Sequence, residues 1–166
     1  HAASDSFYID VQGRGVHGSS PEKGRDPIVA GAALVQAAQT IVSRNLDPTD
    51  AGVISFGEFQ AGSAPNVIPP AARISGTIRS FKAEVRDTII RRLQELSRGM
   101  GEALGVTMAF TLKEGVPACR NDPKVSEAFF DSAARVVGEG NLRWLEPKCG
   151  GEDFAFMARR APGAII

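Results

Sequence analysis

Histidine and cysteine are scarce in this chain of 166 residues, two of each, and it holds a single tryptophan and a single tyrosine. A catalytic zinc site takes about three protein ligands, usually including histidine. His1 is the terminal residue and His17 stands alone, so no clustered ligand spacing supplies such a site from this stretch. Cys119 and Cys149 lie thirty residues apart and form no CxxC pair, which argues against a disulfide framework and for two free thiols in a reducing, cytoplasmic setting. Net charge is lacking too. Nineteen basic residues offset nineteen acidic ones, so the chain has no field to steer it towards nucleic acid or a membrane surface. No apolar run approaches the roughly 20 residues that span a bilayer, and the amphipathic start does not read as a signal peptide.

What remains is an ordinary globular composition, 43% apolar and 23% charged, able to bury a core. Phe7, Ile9 and Val11 alternate with Tyr8, Asp10 and Gln12, the two-residue period of a half-buried strand. Asp26-Pro27 then predicts a capped helix ending near Asn45, with Leu34, Val35, Ala38, Ile41 and Val42 as its apolar stripe. Strands follow at about 52–59 and 72–79, a helix at about 82–104 and a fourth strand at 106–113. The order is β-α-β-β-α-β, each strand with one apolar face and each helix with one apolar stripe. The simplest packing is an α+β ferredoxin-like two-layer sandwich, two helices on one face of a four-stranded antiparallel sheet. It is expected to span residues 4–115.

Residues 116–166 do not complete a fold of their own. Asp122-Pro123 predicts another capped helix with Val125, Phe129 and Val136 on its inner side, Trp144 and Leu145 begin a short strand, and 154–160 form a short helix. Both chain ends read as cut, so the chain is expected to be a piece of something larger, its last part belonging to an α/β domain.

Several motifs carry chemistry. Gly13-Arg14-Gly15-Val16-His17-Gly18 fits G-x-G-x-x-G, but the helix does not open directly from the loop, and a dinucleotide site needs it to. The same glycines leave the His17 ring unshielded. Asn66, between Pro65 and Val67, is by default a turn residue whose carboxamide could instead donate to a substrate oxygen. Arg79 is a surface strand arginine or a bidentate clamp for a carboxylate. Gly150 and Gly151 expose backbone amides ahead of Glu152 and Asp153, whose carboxylates suit a helix N-terminus.

Taken in order, Gly13-x-Gly15-x-His17-Gly18-Ser19-x-Pro21, Arg25-Asp26-Pro27-Ile28, Asn66-Val67-Ile68-Pro69, Gly76-Thr77-Ile78-Arg79 and Gly151-Glu152-Asp153-Phe154 resemble the zinc-dependent amidohydrolases of the aminoacylase and glutamate carboxypeptidase superfamily. The hippurate hydrolase and indole-acetyl-amino-acid hydrolase branch is the most similar. The resemblance implies a ferredoxin-like lid inserted into an α/β catalytic domain, often pairing with a second lid as a homodimer. It implies a divalent metal centre, zinc or else manganese, cobalt or nickel, whose ligands and glutamate base lie outside this stretch. His17 is then expected to reach a neighbouring subunit's site and stabilise the oxyanion of an N-acyl amino acid or small peptide. Asn66 and Arg79 would hold substrate oxygens and the carboxylate, with Gly150, Gly151 and Glu152 lining the cleft. Val16, where relatives commonly carry glycine, is a mild departure. The alternative is a stand-alone ferredoxin-like ligand-binding or dimerising module without catalysis. An RNA-recognition module fits poorly, since the polar sheet face has no aromatic cluster.

Overall fold

The computed structural model describes residues 1–166. Strand β1 (Ala3–Gln12) is followed by a two-residue strand β2 (Val16–His17), helix α1 (Pro27–Asn45), β3 (Gly52–Ala61), a second two-residue strand β4 (Val67–Ile68), β5 (Ala71–Ser80), helix α2 (Ala83–Leu104) and β6 (Thr107–Val116). The four long strands form one antiparallel sheet in the order β3-β5-β1-β6. This is the expected ferredoxin-like α+β arrangement.

The alternation seen in the sequence sorts the strands' two faces. Phe7, Ile9 and Val11 of β1 and Ile74 and Ile78 of β5 point into a core closed by Leu34, Ala38 and Ile41 of α1 and Val85, Ile89 and Leu93 of α2. Phe7 sits at the centre, edge-on to Phe56 at 5.3 Å and stacked with Phe110 at 6.1 Å. The other sheet face is polar. There the Arg73 guanidinium lies over the Tyr8 ring at 5.1 Å and pairs with Asp10 at 3.5 Å.

Helix ends follow the chemistry expected of them. Asp26 accepts from the Ile28 and Val29 amides at the start of α1, and Gly105 closes α2 with φ of 68°. One charged group does enter the layer between helix and sheet. Asp5, 4% exposed, accepts from Arg86 Nε at 2.7 Å and Nη2 at 3.1 Å, and Arg86 also reaches Glu114 at 3.3 Å. Asp5 is the first contributor that holds the Arg86 guanidinium above its ordinary pKa.

The chain divides into two compact units, residues 5–114, and residues 1–4 together with 115–166. The second unit contains α3 (Pro123–Val137) and α4 (Phe154–Ala158). Asp122 caps α3 by accepting from the Val125 amide. Two expectations for this unit need correction. Helix α3 fully buries no residue: Val125 is half-buried, Phe129 42% and Val136 84% exposed, so nothing within this chain covers most of its apolar stripe. Trp144 and Leu145 form no strand, because no neighbouring segment pairs with their backbone; Trp144 instead stacks on Phe130 at 5.2 Å. Both cysteines are free, Cys119 buried and Cys149 exposed. No helix is long and apolar enough to cross a membrane.

Candidate functional site

Two short strands build the histidine's setting. β2 and β4 pair antiparallel, with Val16 opposite Ile68 and His17 opposite Val67. The Gly18 amide donates to the Asn66 carbonyl at 2.7 Å, which extends the ribbon by one residue and brings Asn66 beside the His17 turn. Glycines allow this approach. A Cβ on Gly13 would lie 2.2 Å from the Arg25 carbonyl oxygen, in the stretch where Arg14 and Arg25 bridge to each other. The glycine frame therefore seats backbone against backbone.

His17 and Asn66 are both exposed. The Ser20 amide donates to the His17 carbonyl at 2.9 Å, closing a four-residue turn. Inside it, His17 Nδ1 lies 2.8 Å from Ser19 Oγ and accepts from the Ser19 amide at 3.2 Å. Nε2 has no protein partner, and neither has the Asn66 carboxamide. Sequence reasoning missed Ser19. The available signal was its place two residues beyond the imidazole, where an amide can turn back on the preceding side chain, as in an Asx-turn.

Arg79 sits elsewhere in the same unit. It is half-buried on the polar sheet face, opposite Val53 of β3, and donates Nη1 to the Ile78 carbonyl at 3.1 Å. Its other donors meet no acceptor in the chain. Arg79 lies eight residues along β5 from Ala71, about 26 Å at strand rise. Helix α2 gives the same measure. Arg25, bridged to the start of the ribbon, packs at Gly105 beyond the helix's last turn, whereas Arg79 precedes its first. Twenty-two helical residues span about 33 Å. One copy of the chain thus brings His17 and Asn66 together and holds Arg79 at the opposite end.

Gly150, Gly151 and Glu152 belong to the other unit. A Cβ on Gly151 would fall 2.6 Å from Val116 and 3.0 Å from Ser4, and the Gly150 carbonyl lies 3.3 Å from His1 Nδ1. Glu152 Oε1 accepts from the Phe154 amide at 3.2 Å, so its carboxylate starts α4. Nowhere do three or more His, Cys, Asp or Glu side chains gather where a metal ion could be held. The residues present do not fit a metal centre.

The fold is thus a ferredoxin-like α+β unit with an exposed histidine–asparagine ribbon at one end and a half-buried arginine at the other. The chain belongs to the peptidase dimerisation domain family, whose model matches residues 1–102. It is 38% identical over 169 residues to an N-acetyldiaminopimelate deacetylase of Limosilactobacillus fermentum, covering 99% of this chain and 43% of that protein. It is 36% identical to the hippurate hydrolase of Campylobacter jejuni, covering 94% and 41%. Among solved structures it is similar to the Bacillus subtilis YXEP protein, a dinuclear metal binding peptidase of the M20 family. There the TM-score is 0.76 and identity 28%, over 98% of this chain and 39% of that one. The chain spans about two fifths of the length of these relatives.

Proposed function

We propose that the whole protein of which these residues form part hydrolyses the amide bond of N-acyl amino acids or small peptides, and that residues 4–115 are its lid while 116–166 belong to its catalytic domain. The metal such a reaction uses, zinc or else manganese, cobalt or nickel, is assigned to residues outside this chain. Two free thiols fit a cytoplasmic location.

The observation that carries the reading is the ribbon. It presents the His17 ring with Nδ1 occupied and Nε2 unused, next to an Asn66 carboxamide with no partner. Attack on an amide carbon places negative charge on the carbonyl oxygen, and a preorganised N–H donor aimed at that oxygen favours the transition state over the ground state. His17 Nε2 is that donor in this proposal, and the Asn66 carboxamide holds a second substrate oxygen. Arg79 clamps the substrate carboxylate with the planar fork that suits it. Gly150, Gly151 and Glu152 are proposed to line the cleft from the catalytic side.

The distance between Arg79 and the ribbon supports one further step. No N-acyl amino acid spans it, so His17 and Asn66 of one copy and Arg79 of the other serve the same substrate, in a homodimer formed through the lid. In the whole enzyme, His17→Ala is expected to lower kcat by about 10²–10³-fold, in line with other oxyanion-donor deletions. Bound metal, measured by elemental analysis, should stay unchanged. Unaltered kcat in that variant would remove the assignment.

A further inference from the structure

Whether an imidazole can act as a donor depends on which nitrogen carries its single proton in the neutral ring. His17 Nδ1 faces two groups of Ser19, the amide at 3.2 Å and the hydroxyl at 2.8 Å. A hydroxyl can donate or accept, but a backbone N–H can only donate. Were the proton on Nδ1, it would point at the amide hydrogen. The amide therefore selects the tautomer, and the hydroxyl then turns to donate as well. The turn keeps this amide in place, since the Ser20 amide binds the His17 carbonyl at 2.9 Å and the Gly18 amide binds Asn66 at 2.7 Å.

We propose that Ser19 is a positioning residue that fixes the neutral His17 ring in its Nε2–H form and leaves that N–H free for a substrate oxygen. The tautomer stands on the turn geometry alone, whereas its value to catalysis rests on the oxyanion role proposed above. Ser19 acts through the ring and touches no reacting atom. Its hydroxyl can serve either tautomer, so the amide decides and the preference survives loss of the side chain.

The test is nitrogen-15 NMR of the 166-residue chain in alkaline buffer, where long-range proton–nitrogen correlations separate the two ring nitrogens. Only His1 and His17 contribute, and a His17→Gln sample assigns them. The His17 shifts should place the proton on Nε2. Ser19→Ala keeps the amide and removes the only group that could accept from an Nδ1–H, so the Nε2–H to Nδ1–H ratio should hold or rise. A proton on Nδ1 in the unsubstituted chain, or a ratio that falls in Ser19→Ala, would overturn the proposal. Unchanged turnover in His17→Ala beside a confirmed Nε2–H ring would instead sink the oxyanion role and leave the tautomer standing.

Discussion

A methyl group placed on Gly76 would sit 2.2 Å from the Ser55 carbonyl oxygen and 2.5 Å from the Phe7 ring. Neither neighbour can yield easily, since one is backbone in the adjacent strand and the other a fully buried ring in contact with Phe56 and Phe110. Gly76→Ala is therefore expected to cost about 3 kcal/mol through overpacking, read as a lower urea midpoint at unchanged slope. The Gly76-Thr77-Ile78-Arg79 segment thus combines a residue chosen for core packing with a half-buried one on the polar face. Alternation along β5 makes both roles readable from sequence. What it does not reveal is the aromatic pressing on Gly76, because Phe7 lies more than sixty residues away in the chain. At the Asp5–Arg86 pair, the carboxylate is almost fully buried while Arg86 keeps 24% of its side-chain surface exposed. Arg86→Met removes the cation facing that carboxylate and should cost about 3 kcal/mol by chemical denaturation, at the low end for buried pairs because the arginine is part-solvated.

At the scale of elements, legibility followed length. Helices α1 and α2 and the four long strands run ten to twenty-two residues, enough for a period to show and for one face to be buried. The β2–β4 ribbon is two residues on each side, joined across fifty positions, so no period announces it. That ribbon joins His17 to Asn66, and the sequence offered these as separate motifs without their pairing. Helix α3 shows the opposite limit: its apolar period is correct, but periodicity shows only that a stripe exists, not what covers it. Helix α2 also carries a pH-dependent element. The hydrogen bond from Arg91 first, then that from Arg92, holds the Glu95 carboxyl below its usual pKa. A carboxyl lowered in the folded state stabilises above its ordinary range, and the contribution disappears as pH falls through the folded value. The stability difference between the unsubstituted chain and Glu95→Gln should therefore be largest near neutrality and close as the pH is taken below the usual glutamate range, followed by urea denaturation across that range.

On the scale of the whole molecule, the groups proposed to hold one substrate lie at opposite ends of a single sheet-and-helix unit. The sequence could name His17, Asn66 and Arg79, since each stands out by residue type and neighbours. Their separation depends on strand direction and helix length, which only the assembled unit supplies. In the proposed homodimer, two copies about a twofold axis would bring one molecule's ribbon to the other's arginine, so that every site would draw on both chains. Subunit mixing probes this claim most directly. His17→Ala and Arg79→Ala forms of the whole enzyme, each inactive alone, are unfolded together, refolded and assayed. Random pairing makes half the dimers mixed, each with one undamaged site, so about a quarter of unsubstituted activity should return. Activity that stays at the level of the separate variants, with mixed dimers shown to be present, would contradict a site shared between subunits.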